Sequence, residues 1–205
     1  MEDLSIITKL VSILSEKRAD NHDKWMRVGW CLHNIDYSLL DSWIEFSSKS
    51  HKSNIEGIEH GRSAERCQFL WEQMENRGLE LGSLHRWAKE DNNEEYQKII
   101  RYDLTNLIKK SLNITHHDIA MVVHKMFKHE FVCTSIRNKT WYQFKNHRWV
   151  ELDGGVELRK KISEQVVNEY CNFAAQCNSE VLSITDEDQR ETLIKRGQIA
   201  NKISL

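Results

Sequence analysis

The sequence predicts a mainly α protein: an N-terminal helical bundle followed by an α+β domain with a small three-stranded antiparallel meander. Three observations predict it. The 205 residues include no proline, the residue that removes a backbone donor and clashes with the preceding helical turn. Apolar side chains recur at i, i+3, i+4 and i+7 through most of the chain, the period of one helix face. Between Phe131 and Leu152 that period gives way to β-branched and aromatic runs of strand length.

Ile7, Leu10, Val11 and Leu14 mark the first amphipathic helix. Asp20 is placed to cap the next, where Trp25, Val28, Gly29 and Leu32 repeat the spacing and Trp30 lies one step off the stripe. Ser38 and Asp41 resemble a capping box before Leu40, Trp43 and Ile44. The polar stretch SSKSHKSNIEGIEHGR reads as a loop, and helix resumes through Cys67, Leu70, Trp71 and Met74. RGLELGS breaks it, and a short helix carries Leu84 and Trp87, closing a first domain over 1–91. Trp25, Trp30, Trp43, Trp71 and Trp87 fall within or beside these apolar faces, so core packing is their expected role, with Trp30 the most exposed.

The second domain, 92–205, opens with Asn92 as a cap and Glu95 as its partner, and Ile100, Leu104, Leu107 and Ile108 share one face. Thr115 and Asp118 cap a helix bearing Ile119, Val122, Val123, Met126 and Phe127. FVCTSI, TWYQF and RWVEL then form three strands joined by the turns RNK and KNH. Gly154-Gly155 ends the meander. A long helix from Val156 carries Leu158, Ile162, Val166 and Tyr170 on one side. Thr185 caps a last helix whose acidic first turn, Asp186-Glu187-Asp188, offsets the helix dipole.

Composition excludes several function classes. With 40% hydrophobic and 29% charged residues the chain is globular, and a net charge of −2 excludes a protein that coats nucleic acid by bulk charge. No apolar run reaches bilayer length, and MEDLSIITKL lacks the layout of a signal peptide, so no membrane partner is expected. Five scattered cysteines without a C-x-x-C pair read as reduced thiols. There is no G-x-x-x-x-G-K-[ST], no H-E-x-x-H and no nucleophile elbow. A two-metal centre needs carboxylates on neighbouring strands, whereas the acids here lie on helices and caps. His116, His117, His124 and His129 have one nearby thiol, Cys133, and read as a surface group rather than a zinc site. No catalytic residue, metal or cofactor is therefore expected in this chain.

Charge is more informative. From Lys109 to Arg148 there are eight lysines and arginines against two acids, Asp118 and Glu130, a local +6 in a chain that is −2 overall. Arg137, Lys139, Lys145 and Arg148 are interleaved with Trp141, Tyr142, Phe144 and Trp149, the composition of a groove that tracks a phosphate backbone. A solvated basic face balanced by acidic neighbours is the alternative. Strand alternation sends Trp141 and Gln143 to one face and Tyr142 and Phe144 to the other. One face is expected to pack on the Ile119–Phe127 helix, and the other to present Lys145 and Arg148 beside a ring.

The order DKWMRVGWCLHNI, LDSWIEFSSKS, GRSAERCQFLWEQM, LELGSLHRWAKED resembles the second type of primase C-terminal domain, PriCT-2. Its pattern is a Trp three residues before Val-Gly, a Trp-x-x-x-Ser segment, a basic loop, a helix ending in Trp, and a closing Leu-x-x-Trp-Ala. HDIAMVVHKMFKHEFVCT, TWYQFKNHRWVELDGG and ELRKKISEQV are similar to the N-terminal, collar-like part of the superfamily 3 helicase region in poxvirus, asfarvirus and mimivirus primase-helicases. This resemblance implies the central fragment of a viral DNA replication enzyme, between a primase domain and a P-loop helicase that would use ATP and magnesium. It implies assistance to priming, weak salt-sensitive contact with template DNA, and support of a hexameric helicase. It also implies residence in a cytoplasmic viral factory or the nucleus of an infected cell. Lys49, Lys52, Arg62 and Arg66 become candidates, as exposed cations of the bundle, for template or nucleotide contact. The alternative is a protein-interaction or oligomerisation module without nucleic-acid contact.

Overall fold

A computed structural model describes residues 4–53, 61–75 and 78–204. The middle of the expected polar loop, 54–60, and the start of the RGLELGS break, at Arg77, lie outside the described residues. The chain forms two compact units, Met1–Arg101 and Tyr102–Leu205.

The first unit is all helical. It comprises α1 (Leu4–Ser12), α2 (Glu16–Asp20), α3 (His22–Ile35), α4 (Leu40–Ser48), α5 (Ala64–Trp71), α6 (Leu81–Asp91) and the start of α7 (Asn93–Ser111). The five-residue helix α2 has no counterpart in the sequence reading, being too short to show a period. The core is built on three indoles. Trp25 stacks on Trp43 with ring centroids 4.8 Å apart, and Trp43 lies 5.7 Å from Trp71, all three fully buried. Trp87 joins the same core, while Trp30 is half-buried against it.

Ser47 resolves the polar end of that stack. Its buried hydroxyl accepts from Trp25 Nε1 at 2.7 Å and donates to the Trp43 carbonyl at 2.6 Å. This is why α4 continues through Ser48, past the point where the polar run SSKS suggests a loop. Gly29 lets the stack approach α3: a Cβ there would stand 2.6 Å from the Trp43 ring and 2.7 Å from the end of Met74. The bundle is closed by Arg18, whose guanidinium pairs bidentately with Asp91 at 2.8 and 2.7 Å, while Ser15 donates to the same carboxylate.

Three caps differ from expectation. Asn21, not Asp20, caps α3 by accepting from the Lys24 amide; Asp20 instead accepts from the Ser50 hydroxyl at 2.7 Å. Asp36 accepts from Ser38 and opens a 3₁₀ turn, Tyr37–Leu39, that leads into α4. Asp186 rather than Thr185 caps the final helix, accepting from Gln189. Asn92 and Thr115 cap as expected.

The second unit packs the end of α7, α8 (His116–Phe127), the sheet and the C-terminal helices around Ile108, Val122, Phe127, Phe131, Leu158, Val166, Tyr170 and Phe173. Strands β1 (Phe131–Ser135), β2 (Thr140–Lys145) and β3 (Arg148–Leu152) form an antiparallel meander in the order β1-β2-β3. Helix α9 (Val156–Lys161) runs through a π turn, Ile162–Val166, into α10 (Val167–Val181), followed by α11 (Glu187–Ile203). The π turn has a reason in the pattern. Leu158, Ile162, Val166 and Tyr170 are spaced four apart, and on an ideal α-helix each such step drifts by about 40°. One wider turn takes up that drift and keeps the row on the core. A buried hydrogen bond of 2.6 Å between Ser111 and Tyr170 ties α7 to α10.

Candidate nucleic-acid interface

The meander divides the aromatic stretch by face. Register pairs Trp141 with Leu152, Gln143 with Val150, Phe144 with Trp149 and Lys145 with Arg148. Phe131, Trp141 and Leu152 point inward onto the core of the second unit. Trp141 covers Gly155, whose left-handed φ of 70° and missing Cβ let the ring approach. This inner face also walls an apolar cleft of about 470 Å³, lined by Val123, Phe127, Phe131, Leu158 and Ile162 with Arg159 at its edge.

The inner face is held by Glu130. Its carboxylate accepts from Gln143 at 2.7 Å and from Lys161 at 2.8 Å. Burial opposes ionisation of Glu130, but the Lys161 and Gln143 hydrogen bonds outweigh it and hold its pKa below the usual range.

The outer face carries Val132, Tyr142, Phe144 and Trp149. Phe144 and Trp149 are 43% and 48% exposed, with ring centroids 5.3 Å apart and planes inclined by 59°. Glu151 shares this face and accepts from the Tyr142 hydroxyl at 3.3 Å. Beyond the ring pair, Asn146 and His147 turn the chain with φ of 51° and 62°, the two-residue form with both central residues left-handed.

Lys145 and Arg148 differ from expectation in their face. Alternation gives them the inner parity of Trp141 and Gln143, and they are exposed because they occupy the hairpin end. Arg137 and Lys139 are exposed in the turn at the opposite end of β2. Lys139 and Lys145 are six steps apart along β2, on the order of 20 Å. None of these four cations has an ion-pair partner among the described residues.

The cations of the bundle are placed differently. Arg62, expected to be exposed, is 4% exposed: its guanidinium lies 3.8 Å over the Trp25 ring and donates to the Ala19 carbonyl. Lys49 is half-buried and donates to the carbonyls of Ser12 and Leu14, just past the end of α1; burial pulls its pKa down. Lys52 donates to the Asp20 carbonyl at 3.2 Å. Arg66 is half-buried, 5.8 Å from the ring of Phe69, which is itself 49% exposed. The physical reason is shared: carbonyls left over at helix ends and an indole face attract cations that sequence alone assigns to solvent.

No group of histidine, cysteine or carboxylate side chains among the described residues is arranged to hold a metal ion. No helix among them is long and apolar enough to cross a membrane.

Residues 7–88 match the family model Primase C terminal 2 (PriCT-2). Over 173 residues the chain is 36% identical to "Putative helicase L207/L206" of Acanthamoeba polyphaga mimivirus, covering 83% of this chain and 17% of that protein. It is 27% identical over 166 residues to "Putative helicase 022R" of Frog virus 3, covering 79% and 16%. With "Putative helicase 184R" of Invertebrate iridescent virus 6 it shares 26% over 176 residues, 74% of this chain and 17% of that protein. The chain thus spans about a sixth of the length of these relatives. PriCT-2 is a non-catalytic accessory domain of primase-helicases, and the Trp25, Gly29, Trp43 and Trp87 positions of the pattern are those that build the indole core. The chain thus carries a PriCT-2 domain over residues 7–88 and is similar over most of its length to putative helicases of large DNA viruses.

Proposed function

We propose that this chain is the non-catalytic centre of a viral DNA primase-helicase, linking a primase to a superfamily 3 helicase and touching the template DNA between them. The helical bundle assists priming, and the second unit serves as a collar in a hexamer whose helicase uses ATP and magnesium. The complex works where the viral genome replicates, in a cytoplasmic factory or the host nucleus.

The observation that carries the DNA contact is the contrast between the two sets of cations. Arg137, Lys139, Lys145 and Arg148 are exposed at both ends of the sheet and are uncommitted to any acid among the described residues. Lys49, Lys52 and Arg62 already serve the bundle's own carbonyls and indole. Of the four candidates in the bundle, Arg66 remains the one best placed to reach a phosphate. Contacts of this kind are coulombic and weaken steeply with salt.

The test is fluorescence anisotropy with a labelled single-stranded oligonucleotide at low salt, alongside sedimentation. Lys145→Ala with Arg148→Ala should weaken binding and leave the sedimentation coefficient unchanged. Absence of binding by the wild-type chain at low salt removes the DNA contact. A second reading, a pure assembly module, is favoured by apolar side chains exposed on and before α8: Ile114 at 55% and Met121 at 41%. It gains if those variants alter assembly and DNA binding does not change.

A further inference from the structure

We infer that the outer face of the sheet is a stacking platform for unpaired bases of single-stranded DNA, with Phe144 and Trp149 as its floor. The inference rests on the reading that the second unit contacts DNA, and it names the form of DNA and the atoms that receive it.

Three features of the face point to this ligand. Phe144 and Trp149 are cross-strand neighbours whose rings touch each other and leave nearly half of each residue open. A large aromatic normally packs on the core side of a sheet, as Trp141 does, half-buried three residues earlier in β2. Lys145 and Arg148 stand beside the ring pair at the hairpin end, and Arg137 and Lys139 at the far end of β2, so a backbone whose bases face the rings meets one positive pair next to them and a second further along the strand. Duplex DNA keeps its base faces stacked inside the helix and has none to offer. Every base has a π face, so the platform is tolerant of sequence. Glu151 limits the footprint. Its carboxylate lies on the same face beside Tyr142 and repels phosphate there, which confines the stacking to the Phe144–Trp149 end, next to Lys145 and Arg148.

The experiment compares a labelled dT12 with an abasic oligonucleotide of the same length, which keeps the phosphates and lacks the bases. The wild-type chain should bind dT12 at least about tenfold more tightly, the effect of stacking one base on an aromatic ring. Phe144→Ala with Trp149→Ala should lower dT12 binding to the abasic level and leave abasic binding unchanged. Trp149→Phe, which keeps a π face, should retain most of the preference. Quenching of tryptophan fluorescence by dT12 should be smaller in Trp149→Phe than in wild type. Both rings are surface residues, and unchanged thermal unfolding of each variant shows that the fold is intact.

Equal wild-type affinity for the two oligonucleotides overturns the platform and leaves the phosphate contact standing. A dT12 preference that survives the double substitution overturns it as well, placing base contact elsewhere. Loss of assembly with an unaltered base preference assigns the face to a protein partner. Binding of neither oligonucleotide refutes the platform together with the DNA contact beneath it.

Discussion

Gly29→Ala is the sharpest test of the indole core, because two opposing effects meet at one position. In the middle of α3, alanine is favoured over glycine by about 1 kcal/mol through lower backbone entropy. The new Cβ, however, would fall 2.6 Å from Trp43 Cε2 and Cζ2 and 2.7 Å from Met74 Cε. Met74 can withdraw by rotating its thioether. Trp43 cannot, since it is fully buried, stacked on Trp25 and tilted against Trp71. Moving it also disturbs the hydrogen bond from its Nε1 to the Trp25 carbonyl. Overpacking costs about 1–3 kcal/mol, and a 2.6 Å contact with a ring that cannot withdraw falls in the upper part of that range, about 2–3 kcal/mol. The steric cost wins, and the net loss expected is about 1–2 kcal/mol. For a unit of this size that lowers the melting temperature by about 5–10 °C.

Urea unfolding followed by far-ultraviolet circular dichroism reads the change, with near-ultraviolet signals reporting the tryptophans. Gly82→Ala is the matched control, because nothing lies within 4 Å of its added Cβ. It should be neutral or stabilising by up to about 1 kcal/mol. A Gly29→Ala chain as stable as wild type would refute the claim that the glycine exists to seat Trp43.

Arg62→Ala should destabilise the first unit by about 2–3 kcal/mol in chemical denaturation, through loss of a buried cation–π contact and an orphaned Ala19 carbonyl. The salt dependence of DNA affinity should not change. Arg148→Ala should behave in reverse, with stability within about 0.5 kcal/mol of wild type and a logarithmic salt slope shallower by about 0.7. Burial opposes ionisation of Asp91, yet hydrogen bonds from Arg18 and Ser15 hold its pKa below that of a free aspartate. Its contribution to stability is therefore complete above about pH 4 and lost as the pH falls through the lower folded value. Asp91→Asn should flatten that acid limb in pH-dependent melts and destabilise by about 1.5–3 kcal/mol, since it leaves a guanidinium that is 8% exposed with only Glu90, at 3.5 Å, as a carboxylate partner. His147→Gly should raise the melting temperature, because glycine occupies a left-handed φ of 62° without the steric cost of about 1 kcal/mol that histidine bears.

Helix faces were legible because burial is periodic, and the alternation at 131–152 was legible for the same reason. Caps were less so. Asp20-Asn21 and Thr185-Asp186 each offer two adjacent capping side chains, and a neighbour distant in sequence decides between the first two: Ser50, thirty residues on, draws Asp20 away. The π turn could be inferred only after the fact from a four-residue spacing held too long. Arg62 was illegible as a buried residue because its partner Trp25 lies far back in the chain, and cation–π pairing leaves no local signature. Ser47 likewise reads as loop until the orphan N–H of Trp25 is placed beside it.

The same long-range commitments change what the local charge of the hairpin region means. Of the eight cations between Lys109 and Arg148, Lys109 and Lys110 close the last turn of α7, where positive charge offsets the helix dipole. Lys125 is paired with Asp103 in a nearly buried bridge, and Lys128 lines the inner cleft. That leaves the four around the sheet. If each neutralises one phosphate, the logarithmic salt slope for single-stranded DNA is about −3, not the −5 to −6 that all eight would give. A measured slope near the larger figure would mean that the helix-end lysines also reach the strand, and that the path of the DNA leaves the sheet.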